Sequence, residues 1–387
     1  MDLSRDVLQL IQEHRVFHCI ECGKCTGACP FAQVDRDFSP RLLAKYAMEE
    51  GIHSRYVRQK AWACLTCGLC QARCPQGISF PHFVRGLRHL YERDGDDGVP
   101  ASHGGALHCL MRMQAASGLA QRRLDWLTPD LRTSARGELL YFAGCLPHLD
   151  AFFSDLSVRL NHIGVATVRI LNALGIAPVV LPQERCCGHD LLWSGDGESF
   201  RTLRRLNVES FRASGVSTIV TACAECSYVL KALYPEPGEP FPFHVMHLSE
   251  YLHGLAFRPG RALGRVATFQ DPCRLGRFQG VYEAPRELLS SVLTLREMDH
   301  FRDGSWCCGN SAWLSCDRYS KQIQVERLLE AKSTGSDLIV TACPKCQIHL
   351  RCAMRDRNLL HDLDMEIQDL ACLLAETITT QSAKRQA

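Results

Sequence analysis

One pattern of five cysteines occurs twice in the C-terminal half of the chain, and no other feature constrains the fold as strongly. Each copy contains a single cysteine, an adjacent pair followed by glycine, and a CxxC pair. The first copy consists of Cys145, Cys186, Cys187, Cys223 and Cys226, and the second of Cys273, Cys307, Cys308, Cys343 and Cys346. The spacing from the adjacent pair to CxxC is nearly equal, 223 − 187 = 36 against 343 − 308 = 35 residues. Because such a repeat is one structural unit built twice, we expect two cysteine-lined α/β units that face each other, with metal clusters in the cleft between them.

Strand-like and helix-like segments alternate after residue 138. Strands are predicted at 139–142, 178–181, 217–222, 265–270, up to about 298, and 337–342. Helices are predicted at 153–174, around 198–213, 285–293 and 319–333, and from 344 onward. This alternation indicates parallel sheets, whose ligands bind at the carboxyl ends of the strands.

All ten repeated cysteines lie at or just after predicted strand ends. Both CxxC pairs open helices, where the positive end of the backbone dipole favours thiolate over thiol. Adjacent cysteines in a regular strand would point to opposite faces, so each pair is expected in a turn that Gly188 or Gly309 makes possible. Five thiolates exceed what one zinc ion or an ordinary cubane takes, which suggests an unusual cluster.

A second duplicated motif lies near the N-terminus, where CIECGKCTGACP (19–30) is matched by CLTCGLCQARCP (64–75). The CxxCxxCxxxCP spacing is the bacterial ferredoxin signature for cubane 4Fe-4S clusters, and its fourth cysteine reaches the other cluster. Two cubane ligand sets are therefore predicted: Cys19, Cys22, Cys25 and Cys74 for the first, and Cys64, Cys67, Cys70 and Cys29 for the second. The alternative is a pair of zinc knuckles, which two full sets of this spacing disfavour.

These motifs predict an α+β multidomain chain. A helical ferredoxin-like domain with two cubane clusters is placed at 1–95, a linker with a helix at 96–137, and the two α/β cysteine-rich domains, Rossmann-like with parallel sheets, at 138–260 and 261–387. The basic residues of the helical insert, Arg41, Lys45, Arg55, Arg58 and Lys60, form either a docking face for an acidic donor or a solvated surface. Cys109, outside every motif, is predicted to be a buried structural thiol.

The 22 cysteines among 387 residues raise the alternative of a secreted disulfide scaffold. That class needs an export signal, and the charged start MDLSRDVLQLIQEHR has no apolar core. No run of about 18 apolar residues appears either. We therefore expect a cytoplasmic protein that reaches a membrane only through a partner. A net charge of +2 gives no support to nucleic-acid binding.

With DPCRLGR at 271–277 and TACPKC at 341–346, the duplicated motif resembles the cysteine-rich domains of heterodisulfide reductase catalytic subunits, here fused to the ferredoxin-like part. The resemblance implies that each five-cysteine set holds a noncubane 4Fe-4S cluster. It also implies two clusters that face one cleft and cleave a disulfide between them. One departure is the first interval, which is 186 − 145 = 41 residues in the first copy and 307 − 273 = 34 in the second.

Related chains with weaker second motifs carry electrons from glycolate or glycerol-3-phosphate dehydrogenase flavoproteins toward quinone, and this relay is the alternative function. The resemblance implies partners: a flavoprotein or other redox subunit as donor, a membrane cytochrome or quinone subunit, and a disulfide or thiol substrate. His189 and His349 are the candidate catalytic proton donors, with His148 as a third, because thiolates formed from a disulfide need protons. A structural role for each histidine is the alternative.

Overall fold

A computed structural model describes residues 3–96, 102–356 and 363–378. Contacts divide the chain into two compact units. Unit 1 consists of Met1–Ala115, Gly188–Thr202 and Asp303–Arg327, and unit 2 consists of Ala116–Cys187, Leu203–Arg302 and Leu328–Ala387. Each unit is thus assembled from segments that are distant in sequence.

The α-helices and β-strands alternate only in the second half of the described chain. The helices up to residue 113 are α1 (Leu3–Glu13), α2 (Lys24–Ala28), α3 (Pro30–Val34), α4 (Pro40–Glu49), α5 (Arg55–Ala63), α6 (Leu69–Ala72), α7 (Phe80–Arg93) and α8 (Ala106–Met113). The later helices are α9 (Leu146–Phe152), α10 (Asn161–Ala173), α11 (His189–Ser194), α12 (Gly197–Ser214), α13 (Ala224–Tyr228), α14 (Leu248–Gly254), α15 (Gly276–Gln279), α16 (Glu283–Ser290), α17 (Arg318–Ser333), α18 (Pro344–Met354) and α19 (Leu370–Glu376).

Unit 1 is helical, and its amphipathic helices enclose a small core. Helix α4 begins where the Ser39 hydroxyl accepts a hydrogen bond from Leu42 N at 3.2 Å, and Pro40 occupies its first turn. Helix α1 packs against α7, where Val7 and Ile11 are buried. Gly86 makes room at this contact, because a Cβ there would lie 2.5 Å from the end of the Leu10 side chain, which would have to shift. The N-terminal helix therefore covers the core of the ferredoxin-like part.

Unit 2 contains two parallel sheets with the same connectivity. The first has the order β1-β2-β3, with strands β1 (Leu139–Tyr141), β2 (Thr218–Thr221) and β3 (His244–His247). The second has the order β5-β4-β6-β7, with strands β4 (Val266–Gln270), β5 (Thr294–Leu295), β6 (Leu338–Thr341) and β7 (Glu366–Asp369). Thr221 pairs with His247 in the first sheet as Thr341 pairs with Asp369 in the second. The strands β1, β2 and β3 therefore correspond to β4, β6 and β7.

The two repeats pack against each other within unit 2 through corresponding helices. Helix α10 of the first repeat contacts α19 of the second, and α16 of the second contacts α14 of the first. Helix α10 corresponds to α16 in the other repeat, and α14 corresponds to α19. Exchanging the two repeats therefore turns the α10–α19 contact into the α16–α14 contact. This exchange is the mark of an approximate two-fold relation between the repeats.

The structure confirms the predicted fold class, a helical ferredoxin-like part followed by duplicated α/β units with parallel strands. One predicted strand is wrong: 178–181 forms only isolated bridges of Val179 with Ser134 and Leu140. Pro178 lacks the N–H that a ladder needs. The helix predicted in the linker at 96–137 is α8, which ends at Met113, and the helical insert between the two ferredoxin motifs is divided into α4 and α5. The predicted domain boundaries stay predictions.

Two strands escaped the sequence analysis. The segment HVMH of β3 contains two apolar residues, and the segment EIQD of β7 contains one. Each of these strands lies at the edge of its sheet. Edge strands need less apolar sequence than central ones.

Among the residues that the structure describes, no helix is long and apolar enough to cross a membrane.

Candidate metal centres

The first predicted cubane set surrounds one cavity of unit 1. Cys19, Cys22, Cys25 and Cys74 all line this cavity, together with Cys70. Gly23 at its wall has a φ of +75°, a conformation that residues with side chains rarely adopt. The backbone therefore turns tightly around the cavity and brings Cys74 of the second motif to the cysteines of the first.

The second predicted cubane set is more deeply buried. Burial raises the pKa of Cys29, and the nearby Cys67 and Cys64 thiols raise it further. Burial also raises the pKa of Cys70, again with Cys64, Cys67 and Cys29 close by. The thiols of Cys29, Cys64, Cys67 and Cys70 thus lie close enough to raise one another's pKa, and the Cys25 thiol also raises the pKa of Cys70. Cys29 of the first motif thus lies with the cysteines of the second.

A buried arginine holds the backbone at this second set. Arg88 on α7 is completely buried and donates hydrogen bonds to Ala61 O at 3.0 Å and to Cys64 O at 2.5 Å. A third bond from Arg88 reaches Trp193 O at 2.8 Å. The guanidinium therefore fixes the carbonyl of a predicted ligand cysteine, a role that the sequence did not reveal.

The five cysteines of the first repeat form a continuous series of thiol contacts in unit 2. Cys145 Sγ lies 2.9 Å from Cys186 Sγ, and Cys226 Sγ lies 3.5 Å from Cys187 Sγ. Cys186 and Cys187 hydrogen-bond each other, as do Cys223 and Cys226. The predicted convergence of five thiols is therefore present in this repeat.

Local backbone conformation explains why these cysteines meet. Gly188 has a φ of +80°, and Gly309 in the second repeat has +90°, so each adjacent pair precedes a left-handed turn. Gly144 also has positive φ, and a Cβ there would lie 2.8 Å from Cys226 Sγ. In both repeats the first cysteine, Cys145 or Cys273, is half-buried, while the other four are buried. In each set, the first cysteine is therefore more accessible to solvent than the other four.

A buried ion pair lies beside the first five-cysteine set. Arg123 and Glu184 are each 1% exposed, and Arg123 Nη2 lies 2.6 Å from Glu184 Oε1. The carboxylate accepts hydrogen bonds from Gly144 N at 2.9 Å and Ala143 N at 3.3 Å, and Arg123 also donates to Gly144 O. Burial raises the pKa of Glu184, while Arg123 acts against that shift. This pair fixes the turn that carries Cys145.

A second polar cluster holds the segment with the adjacent cysteines. Asn207 is completely buried on α12, accepts from Arg185 N at 2.8 Å and donates to Cys186 O at 3.1 Å. It also contacts the hydroxyl of Tyr234, which donates to Cys187 O at 3.2 Å. These bonds satisfy carbonyls in a segment that has no sheet partners.

The second five-cysteine set is divided between the two compact units. Cys273, Cys343 and Cys346 belong to unit 2, and Cys307 and Cys308 belong to unit 1. Near Cys273, Asp271 accepts two hydrogen bonds from Arg286 at 2.8 Å each, and Arg286 also pairs with Glu297 at 2.6 Å. The convergence of all five cysteines in this repeat stays a prediction.

The CxxC segments of the two repeats meet inside unit 2. Hydrogen bonds from the Cys226 and Cys343 thiols lower the pKa of the Cys223 thiol to about 5. Cys223 and Cys343 are equivalent residues, each preceding the helix that its CxxC opens. The clustered thiols are soft donors of the kind that iron–sulfur clusters use. The residues present therefore fit the predicted iron–sulfur groups.

The candidate proton donors are placed differently. His189 is 1% exposed, and its Nδ1 lies 2.8 Å from Asp190 Oδ1. His349 is buried on α18. His148 is half-buried, 3.5 Å from Arg123 Nη1, and burial lowers its pKa, with Arg123 adding to the shift. His148 also lies near Cys186, whose charge would raise the same pKa.

Two buried titratable groups were not found by sequence reasoning. His247 and Asp369 end the corresponding strands β3 and β7, and each caps the helix that follows, at Ser249 N and Ala371 N. Burial lowers the pKa of His247 to about 4 and raises that of Asp369 to about 8. His247 Nε2 and Asp369 Oδ2 are buried and lack hydrogen-bond partners, although the backbone of Ala222 and Ala342 is near His247.

Two further expectations have clear outcomes. The predicted burial of Cys109 is wrong, because this thiol is exposed on α8.

The basic residues of the insert are largely paired with neighbours: Arg41 with Glu21, Lys45 with Glu49, Arg58 with Asp96, and Lys60 with Asp35. This pairing favours a solvated surface over a docking face.

Comparisons with known proteins define the class of these centres. Residues 139–231 and 267–351 match the family described as cysteine-rich domain CCG, and residues 15–78 match the 4Fe-4S dicluster domain. The chain therefore contains two CCG cysteine-rich domains and a 4Fe-4S dicluster domain.

The chain is similar to a subunit of the dihydromethanophenazine:CoB–CoM heterodisulfide reductase of Methanosarcina acetivorans, with 28% identity over 96% of each chain. This finding confirms the predicted resemblance. The chain is also 27% identical to the EtfAB:quinone oxidoreductase of Syntrophomonas wolfei, over 85% of this chain and 54% of that protein. A crystal structure of a hypothetical protein from Helicobacter pylori shares the fold at 10% identity, with a TM-score of 0.58, over 98% of this chain and 73% of the other.

Proposed function

We propose that this chain is an iron–sulfur oxidoreductase subunit that reduces a disulfide at its two five-cysteine sites. The observation that carries the proposal is the series of thiol contacts from Cys145 to Cys226, which meets the second repeat where Cys223 contacts Cys343. The similarity to the Methanosarcina heterodisulfide reductase over 96% of the chain supports it.

Four cluster sites follow from the ligand sets. Cys19, Cys22, Cys25 and Cys74 would hold one cubane, and Cys29, Cys64, Cys67 and Cys70 the other. Each five-cysteine set would hold one noncubane cluster. When bound, these groups supply single electrons and an iron atom on which a substrate sulfur can be held.

The reaction requires two electrons and two protons. The S–S bond of the substrate breaks, each sulfur gains one electron and one proton, and two thiols leave. The chain contributes positioning through Arg123 and Glu184 at Cys145 and through Asn207 at Cys186. We propose His189 and His349 as proton donors. The hydrogen bond from His189 to Asp190 would orient its ring.

Metal analysis and dye-linked assays test this function. The full chain, prepared without oxygen, is expected to contain about sixteen iron and as many sulfide per chain, four for each cluster. Reduced with a viologen dye, it is expected to release thiols from a panel of small disulfides. Stoichiometric zinc, or about eight irons after reconstitution, would remove the two five-cysteine clusters from the proposal.

A pure electron relay is the second candidate, and the similarity to an EtfAB:quinone oxidoreductase favours it. In a relay the chain accepts electrons from a flavoprotein and passes them to a quinone-linked partner. The same preparation distinguishes the two functions. Quinone-linked turnover with a flavoprotein donor, together with no reaction with any disulfide, would replace disulfide reduction by the relay.

A further inference from the structure

An ion pair connects the two CxxC segments across the repeats. Glu225 and Lys345 occupy the same place in their motifs, immediately before the second cysteine, Cys226 or Cys346. Lys345 Nζ lies 2.6 Å from Glu225 Oε2, and the side chains are only 5% and 15% exposed. Both residues belong to unit 2. The pair is therefore much better shielded from water than a surface salt bridge.

The approximate two-fold relation explains why these residues differ in charge. Two-fold packing brings a position in one repeat against the same position in the other, as the contact of Cys223 with Cys343 illustrates. Identical charged residues at 225 and 345 would therefore repel each other at close range. A glutamate opposite a lysine replaces that repulsion by attraction. The repeats have diverged to complementary charges at the position where they meet.

We propose that Glu225 and Lys345 are positioning residues that fix the separation of the two five-cysteine sites. The inference rests on the proposed disulfide reduction. It adds the two residues that keep the five-cysteine sites in a fixed relative position. Each residue is joined by one peptide bond to a ligand cysteine, so a shift of the ion pair moves Cys226 or Cys346. The two sulfurs of a disulfide are about 2.05 Å apart. Sites on both sides of such a bond need a fixed spacing, since a misplacement of about 1 Å can lower a rate 10²-fold.

Charge variants of the loaded, full-length chain test this role. The variants are Glu225→Gln, Lys345→Met and the exchange Glu225→Lys with Lys345→Glu. The matched control is Lys231→Met, because the Lys231–Glu250 pair at 3.1 Å lies within the first repeat and is more exposed. Three quantities are measured: iron per chain, the magnetic interaction between the two five-cysteine clusters in electron paramagnetic resonance, and dye-driven disulfide turnover.

Each single variant is expected to keep its iron, to change the magnetic interaction, and to lower turnover by about 10- to 100-fold. The double exchange is expected to restore both the interaction and most of the turnover. Lys231→Met should leave all three quantities unchanged.

Wild-type interaction and turnover in both single variants would overturn the inference. Loss of iron in the single variants, without recovery in the exchange, would also overturn it, because the pair would then only support folding. A wild-type chain that reduces no disulfide contradicts the proposed function instead. The positioning role would still stand in that case if the exchange restored a magnetic interaction that the single variants had changed.

Discussion

The two cysteine-rich repeats share three parallel strands and the order of their cysteines, yet several equivalent positions near those cysteines differ in polarity or charge. The pairs, first repeat before second, are Ala143 and Asp271, Glu184 and Ser305, Asn207 and Arg327, Glu225 and Lys345, and His247 and Asp369. Both repeats have the five cysteines, while these neighbouring positions differ. The predicted metal-binding atoms are therefore the same in both repeats, while the residues near them differ from one repeat to the other.

The largest effect is expected at Arg123, which precedes the first repeat and pairs with Glu184 of that repeat, where the second repeat has Ser305. Arg123→Met leaves Glu184 buried without its cation, so we expect the free energy of unfolding to fall by about 3–5 kcal/mol. The turn with Cys145 loses its support, and iron at the first five-cysteine site should be lost while the cubane signals remain. Urea unfolding and iron analysis measure both effects.

The control for this variant is Arg169→Met. Its pair with Asp130 has side chains 48% and 60% exposed, so the expected change is about 0–1 kcal/mol. Equal effects of the Arg123 and Arg169 substitutions would mean that the buried pair does not support the first site.

A smaller effect is expected at Asn207, whose equivalent in the second repeat is Arg327. Asn207→Leu leaves Arg185 N and Cys186 O without their partner, and we expect a loss of about 2–3 kcal/mol. Asn207→Asp keeps the acceptor for Arg185 N and should lose less. The two variants are compared by urea unfolding, and a leucine variant as stable as wild type would show that this segment needs no side-chain support.

The effect of pH is the smallest when counted over a single pH unit, and it differs in direction between Asp369 and His247. The pKa of Asp369 is raised to about 8, so between about pH 4 and 8 the folded chain keeps a proton that the unfolded chain has lost. The free energy of unfolding should therefore fall as pH rises, by at most about 1.4 kcal/mol per pH unit. The pKa of His247 is lowered to about 4, so its contribution is lost instead as pH falls below about 6.5.

Asparagine at either position keeps the helix cap and removes the titration. The Asp369→Asn variant should gain stability relative to the wild type as the pH rises toward 8. The His247→Asn variant should gain stability relative to the wild type as the pH falls toward 5. Urea midpoints from pH 5 to 8.5 measure these differences. Parallel curves for wild type and both variants would contradict the assigned protonation states.

The grouping of the cysteines was predictable because it follows from their spacing in the sequence. Cys74 lies with the cysteines of the first motif, and Cys29 with those of the second, as the crossed spacing predicts. Gly188 and Gly309 have the positive φ that the adjacent cysteines require. Each of these features follows from a local stretch of sequence.

The supporting groups were not predictable in the same way. Arg123 lies in a stretch that reads as a linker, and its partner Glu184 is 61 residues away. Asn207 sits on the buried side of an otherwise ordinary amphipathic helix. Contacts over such separations leave no periodic signal in a single sequence, and neither do the polar edge strands β3 and β7.

Disulfide reduction is proposed to require both repeats, and single cysteine substitutions in each repeat test that requirement. Cys187→Ser and Cys308→Ser remove equivalent predicted ligands, one from each repeat, and disulfide reduction by the dye-reduced chain is measured for each. We expect either substitution to abolish turnover while the cubane signals from Cys19 to Cys74 persist. Wild-type chain, partly oxidised with a matching thiol, should show a new paramagnetic signal that neither variant shows. Turnover at the wild-type rate in both variants would contradict a reaction shared between the two sites.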